Sequence, residues 1–165
     1  MNVLSLFEKV KVFVFDIDGV LTDSMLHVQE TGELLRRMNI KDGYALQLAV
    51  KKGYKVWVIS GGHSNASKRR LNNLGVMDVF IGVANKLEKL QEMLNTHGLS
   101  TEQVLFMGDD MPDLASMKLC GLATCPNDAA VEICNIAHYI SPVKGGMGCV
   151  RDVIEKVLKI NNDWE

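Results

Sequence analysis

The stretch Lys11–Asp23, KVFVFDIDGVLTD, decides how the rest of the chain folds. Val10 and Val12 to Phe15 make a nearly unbroken apolar run of β-forming residues, the composition of a short strand buried on both faces. The run stops at Asp16, and Asp18 and Gly19 follow. Two carboxylates at the end of a buried strand repel each other and lose hydration, and a divalent cation is the usual compensation. An Asp-rich turn capping a helix is the structural alternative, and this stretch alone leaves both readings open.

Further along, strand and helix patterns alternate. Met25 to Gln29 and Leu34 to Asn39 read as two strands around Glu30-Thr31-Gly32-Glu33, a β-hairpin projecting from the sheet with a positive φ at Gly32. Asp42-Gly43 opens a helix with Ala45, Leu46, Leu48, Ala49 and Val50 on its apolar side, and Gly53 ends it. Lys55 to Ser60 is a second buried strand running into Gly61-Gly62. The helix His63 to Leu74 turns Ala66, Leu71 and Leu74 inward. Val79 to Ile81 is a third strand. Lys86 opens a helix with Leu87, Leu90, Met93 and Leu94 at helical spacing, and Gln103 to Met107 is a fourth strand running into Gly108-Asp109-Asp110. A short helix (Pro112 to Lys118), a strand (Gly121 to Thr124), a helix (Asp128 to Cys134), a strand (His138 to Ile140) and a closing helix (Cys149 to Leu158) complete the pattern. Such alternation with short connections predicts an α/β fold, a three-layer sandwich around a mostly parallel, Rossmann-like sheet. Residues 1–165 contain no repeat, linker or low-complexity tract, so a single domain is expected.

Composition narrows the function. A net charge of −2 provides no basic field for nucleic acid, and the triplet Lys68-Arg69-Arg70 reads as the solvated face of a helix. The N-terminus lacks the pattern of a signal peptide, and no apolar run is long enough to cross a bilayer. Cys120, Cys125, Cys134 and Cys149 show neither CxxC pairing nor zinc-ligand spacing, which suits buried free thiols in a reducing cytoplasm.

In an open parallel sheet, ligands bind beyond the carboxyl ends of the strands, near a switch in strand order. The first strand ends at Asp16 and Asp18, the second at Ser60-Gly61 and the fourth at Asp109-Asp110, while Lys86 starts the helix after the third. All these polar groups fall on one edge, and their types suit one reaction. A carboxylate can attack phosphorus to give an aspartyl-phosphate, and a second carboxyl can exchange protons with the leaving group and with water. Magnesium offsets the repulsion between anions, and a hydroxyl, backbone N–H groups and a lysine can hold the phosphoryl oxygens.

FDIDGVLTD, VISGG, NKLEKL and GDDMPD resemble, in order, the four motifs of the haloacid dehalogenase superfamily. The resemblance implies Asp16 as nucleophile and Asp18 as general acid/base. Ser60, Gly61 and Lys86 would bind the phosphoryl group. Asp109 would complete a Mg2+ site with the Asp16 carboxylate and the Asp18 backbone carbonyl, and Asp110 and Asp113 would be supporting carboxylates. The second Asp favours phosphatase chemistry, because dehalogenases lack it and transport ATPases carry Thr there.

No cap domain has room in this sequence. The first insertion is only the hairpin, and Ile81 to Lys86 excludes a second. NIKDGYAL, Arg70 and KGGMGCVRDVIEKVL resemble segments of the capless phosphatases of 3-deoxy-D-manno-octulosonate 8-phosphate, which are homotetramers acting on a sugar-acid phosphate in lipopolysaccharide biosynthesis. That resemblance implies a homo-oligomer in which the hairpin meets other subunits, with no nucleic-acid or membrane partner. Two arginines usual in that family are missing, since Gly62 and Met147 stand at their places. Phosphatases of a related nine-carbon sugar-acid phosphate, or of another sugar phosphate, therefore remain an alternative. Lys41, Asp42, His63 and Arg70 are candidate substrate contacts; helix capping is the competing role for Asp42 and a solvent-facing helix start for His63. His27, His97 and His138 are scattered, and Trp57 reads as core. Met25 and Met38 are candidates for the hairpin interface or for ordinary packing. A receiver-type phosphoacceptor domain is the rival from another class, but receivers place the acceptor Asp after the third strand and lack the hairpin.

Overall fold

The computed structural model describes residues 2–165. Its centre is β1 (Val12–Phe15), every residue of which is fully buried. β1 lies parallel between β4 (Lys55–Ile59) and β6 (Val104–Met107), pairing Phe13 with Val56 on one side and with Leu105 on the other. β5 (Asp78–Phe80) extends the sheet beyond β4, while β7 (Leu122–Cys125) and β8 (Tyr139–Ile140) extend it beyond β6. The order is β5-β4-β1-β6-β7-β8, with every neighbouring pair parallel. The chain builds outward from β1 to β5, then returns to the other side of β1. That reversal puts the switch point at the carboxyl end of β1, where Asp16 and Asp18 lie.

Strand periodicity divides the core in two. Phe13 and Phe15 face α1 (Val3–Glu8), α2 (Ile40–Lys51), α3 (Asn65–Asn73) and α7 (Cys149–Ile160). Val12, Val14 and Trp57 face α4 (Lys86–His97), α5 (Leu114–Leu119) and α6 (Val131–Ile136). This is the expected three-layer sandwich. Truncating a fully buried phenylalanine such as Phe13 to alanine would cost about 3–5 kcal/mol.

The expected hairpin is present as a separate antiparallel pair, β2 (His27–Val28) and β3 (Leu34–Leu35), turning at Gly32 with φ +86°. Its ladder is much shorter than 25–29 and 34–39, because both strands are solvent-exposed and bury no continuous apolar face. Among the described residues it is the only insertion between the loop after β1 and α2, and there is no cap domain.

Other boundaries moved for local reasons. α2 starts at Ile40 because the Asn39 side chain caps it, accepting from Lys41 N–H at 2.8 Å. α3 starts at Asn65, capped by Ser64, so His63 precedes the helix. On α3 the buried small residue is Ser67, and Ala66 is exposed. α1 lies in a segment whose sequence reading offered no element. Asn2 caps it, and Phe7 anchors it against Tyr139, edge to face with ring centres 5.3 Å apart. Trp57 is fully buried, as expected of a core residue, and Met38 packs against the core while Met25 is exposed. All four cysteines are free, and Cys120, Cys125 and Cys149 are buried.

Candidate active site

After β1 the chain makes one wide turn, Ile17–Leu21, closed by Thr22 N–H donating to the Ile17 carbonyl at 3.1 Å. Gly19 allows it. Its φ of +91° is left-handed, and a Cβ there would fall 1.8 Å from Asp109 Oδ2. The turn is braced from behind by the glycine-rich segment before α7. Gly146 N–H donates to the Val20 carbonyl at 2.9 Å, and a Cβ on Gly145 would lie 2.0 Å from the Gly19 carbonyl oxygen.

The turn, the β4 terminus, the start of α4 and the loop after β6 enclose an open cavity of about 320 Å³. Asp16, Asp18, Ser60, Gly61, Lys86, Asp109, Asp110 and Asp113 all line it. The fold thus brings together the eight residues expected to bear the chemistry.

Asp16 is buried, and its Oδ1 accepts from its neighbour Ile17 N–H at 2.7 Å and lies 3.0 Å from Lys86 Nζ. Lys86, also buried, bonds Asp113 Oδ1 at 2.7 Å. Asp113 Oδ2 in turn accepts from Asp109 N–H at 3.1 Å, which fixes the loop after β6. Asp110 caps the 3₁₀ turn Met111–Asp113 through Met111 N–H at 2.8 Å. Ser60 Oγ accepts from Gly62 N–H at 3.2 Å.

The cluster is short of positive charge. Burial and the Asp113 carboxylate push Asp16 up to about 7, although Lys86 and Ile17 N–H pull it down. Burial, followed by repulsion from Asp16, Asp113 and Asp110, pushes Asp109 up to about 8. Burial opposes the charge on Lys86, but Asp16 and Asp113 outweigh it and hold the amine above its ordinary value. One lysine faces three carboxylates. Oxygens of Asp16, Asp109 and Asp113 lie within 4.8 Å of one another, an all-oxygen donor set that suits a hard divalent cation.

The four candidate substrate contacts are placed elsewhere. Asp42 is buried and turned away from the cavity: its Oδ1 accepts from Arg151 N–H at 2.8 Å, capping α7 instead of its own helix. Lys41 is exposed on α2. His63 is exposed, with its ring against Gly82. Arg70 lines a separate cavity between the hairpin and α3.

Two residues near the site were not found in the sequence. Ser24 lines the cavity with a left-handed φ of +68°, uncommon for a serine, and nothing in its sequence context signals this. Arg36, directly after β3, grips Asp18 through Nε to Oδ1 at 2.6 Å and Nη2 to Oδ2 at 3.1 Å. The spacing of Arg36 and Met38 was the available signal, since residues two apart in an extended segment share a face and Met38 packs against the core.

A parallel sheet with this switch point, an Asp-x-Asp turn after its central strand and a buried lysine–carboxylate cluster defines a class of hydrolase. The chain belongs to the haloacid dehalogenase-like hydrolases, whose family model matches residues 65–151. It is 31% identical over 164 residues, 99% of this chain and 88% of the relative, to the 3-deoxy-D-manno-octulosonate 8-phosphate phosphatase KdsC of Yersinia pestis. The crystal structure of the Yersinia pestis phosphatase superposes with a TM-score of 0.94 over 98% of this chain and 87% of that one, at 30% identity. The Moraxella catarrhalis phosphatase, solved with magnesium, phosphate and a KDO molecule, gives a TM-score of 0.94 at 27% identity, covering 98% of this chain and 92% of that one. The cobalt-bound Haemophilus influenzae enzyme gives 0.90 at 29% identity, covering 95% and 92%. The receiver-type reading is thereby overturned.

Proposed function

We propose that this chain, acting as a single domain, is a magnesium-dependent phosphomonoester hydrolase working through an aspartyl-phosphate, and that its substrate is 3-deoxy-D-manno-octulosonate 8-phosphate. The observation that carries the reading is the buried Asp16 carboxylate, 3.0 Å from Lys86 Nζ and sharing an oxygen cluster with Asp109. Asp16 Oδ1 is engaged by Ile17 N–H and Lys86, which leaves Oδ2 to attack phosphorus. As the new P–O bond forms, the ester P–O bond breaks and Asp18 protonates the leaving alkoxide. Asp18 then takes a proton from water as that water attacks phosphorus, freeing inorganic phosphate and the Asp16 carboxylate. Ser60, the Gly61 backbone and Lys86 hold the phosphoryl oxygens, while Asp113 keeps Lys86 charged and in place. The Asp16 and Asp109 carboxylates and the Asp18 carbonyl would hold Mg2+. When bound, the ion supplies positive charge that offsets repulsion between carboxylate and phosphate and polarises the phosphoryl group.

The substrate assignment is supported by similarity along the whole chain to phosphatases of that name. A phosphate of a nine-carbon sugar acid is the second reading. It stays open because Gly62 and Met147 leave out two guanidinium groups usual in the octulosonate phosphatases, and both acids carry the carboxylate such groups would clamp. Exposed Met25, Leu26, Val28, Leu34 and Leu35 on the hairpin support its burial in a homotetramer whose neighbours cover the open cavity. Among the described residues no helix is long and apolar enough to cross a membrane, and a cytoplasmic setting fits the free thiols. The test is phosphate release with and without magnesium across sugar-acid phosphates of eight and nine carbons and neutral sugar phosphates. Turnover that requires magnesium and is fastest on the eight-carbon acid supports the reading; magnesium-independent turnover, or none on any phosphomonoester, overturns it.

A further inference from the structure

One buried charge beside the cavity has no part in the reaction as proposed. The Arg36 side chain is 9% exposed and that of its partner Asp18 is 37% exposed. The guanidinium takes both carboxylate oxygens in a fork, so Asp18 is held facing the hairpin. Gly62 makes room for this pair, since a Cβ there would lie 2.9 Å from Asp18 Oδ2 and 3.2 Å from Arg36 Nη2. On its other side Arg36 lines a second cavity of about 400 Å³, between the hairpin and α3, together with Ser64, Ser67 and Arg70. Arg36 therefore stands between the proton-exchanging carboxyl and a recess that holds another guanidinium.

To meet a leaving-group oxygen, Asp18 must turn away from Arg36. Doing so strands a mostly buried guanidinium, which is costly unless another anion takes the place of the carboxylate. A carboxylate on the leaving portion of the substrate has the right charge and the right two-oxygen geometry. We infer that Arg36 is a specificity-determining residue: it pairs with Asp18 in the free enzyme and transfers to a carboxylate on the substrate's leaving group, releasing Asp18 for proton exchange. Acidic leaving groups are selected because only they complete the exchange of partners. This rests on the phosphatase reading and adds to it the residue that selects the substrate class. The neighbouring pair, Arg37 with Asp23, is solvent-exposed on the arginine side and serves as an internal control.

The experiment compares kcat and KM for a sugar-acid phosphate and its alditol counterpart, which differ only in carboxylate against hydroxymethyl, in wild type, Arg36→Ala, Arg36→Lys and Arg37→Ala. Wild type is expected to favour the acid. Arg36→Ala should lower kcat/KM for the acid by about 10- to 100-fold, the worth of one charge-assisted fork, while turnover of the alditol phosphate stays level or rises. Arg36→Lys should recover part of the loss, and Arg37→Ala should change neither substrate. Equal losses on both substrates would show Arg36 to be merely structural and overturn the inference. A wild type with no preference for the acid would overturn it without recourse to any variant. A wild type inactive on every phosphomonoester would instead sink the phosphatase reading itself.

Discussion

Replacing Lys86 with methionine removes the one cation from a site holding Asp16, Asp109 and Asp113, so its effect on stability must depend on pH and on metal. In the intact protein Lys86 bonds Asp113 at 2.7 Å and lies 3.0 Å from Asp16, with all three side chains buried. Removing one partner from a buried ionic cluster costs about 3–5 kcal/mol, because the remaining charges stay desolvated and uncompensated. For a chain of 165 residues that is a fall of roughly 6–20 °C in Tm. The sign with pH follows from Asp16, already raised from 3.8 to about 7 with Lys86 pulling it down. Without the lysine its folded value rises further. A carboxyl raised in the folded state binds more protons folded than unfolded, so its contribution to stability is complete below about 4 and is lost as pH rises toward the folded value. The variant should therefore lie far below wild type at pH 9 and closer to it at pH 5.5, where Asp16 is protonated in both. Recovery is partial, since Asp113 also loses its lysine. Thermal and urea unfolding of both proteins in EDTA at the two pH values measures the gap, and magnesium at pH 9 should narrow it. A gap equal at both pH values and unmoved by magnesium would refute the view that uncompensated negative charge organises this site.

Asp16→Asn should abolish phosphate release, with Tm at pH 8 unchanged or raised because a raised buried carboxylate is gone; any retained turnover removes Asp16 from its assigned role. Asp18→Asn should give slow phosphorylation and poor hydrolysis, so that radiolabelled phosphate accumulates on the protein; wild-type steady-state turnover would contradict proton exchange at Asp18. Saturating magnesium, at about 100 times its Kd, should raise Tm by roughly 5–11 °C at pH 8, and much less at pH 5 where Asp16 and Asp109 hold protons. Asp109→Asn should weaken that response at least tenfold in magnesium concentration, and a variant as sensitive as wild type would exclude Asp109 as a ligand. Asp42→Ala should cost about 1–2 kcal/mol in urea unfolding by uncapping α7, Asp42→Asn should cost less, and both should keep kcat; a change in kcat would return Asp42 to the substrate.

Much of the fold was legible because local composition and burial agree. The runs 12–15, 55–59 and 104–107 are apolar throughout, or nearly so, and each becomes a sheet strand flanked on both sides. The parallel arrangement then fixes the site, since placing the ends of β1, β4 and β6 on one edge gathers Asp16, Ser60 and Asp109 without further information. Where local and tertiary preferences separate, the sequence was less informative. α1 is a short helix with one fully buried anchor, Phe7, which is too little for a periodic signal. The residues 25–29 and 34–39 alternate like strands, but without a sheet to join only four of them pair.

The site divides along the same line. Groups carried by the ends of strands were readable, because the chain ties their position to an element that is itself readable. Arg36 and Asp42 were not, because each acts across a tertiary contact: Arg36 reaches Asp18 from the far side of the hairpin, and Asp42 reaches α7 from 109 residues away. Asp42 also shows why a buried carboxylate is an ambiguous sign. Burial raises it to about 6, a shift in the same direction as that of Asp16, yet its surroundings are the N–H groups of a helix and hold no cluster of carboxylates. What separates the two is the company each keeps. Asp16 faces a lysine and two further carboxylates across a cavity open to a ligand, whereas Asp42 faces backbone within closed packing. The first arrangement leaves a surplus of negative charge for a cation to offset, whereas the second spends Oδ1 of a lone carboxylate on a helix start and leaves its Oδ2 buried without a partner among the described residues.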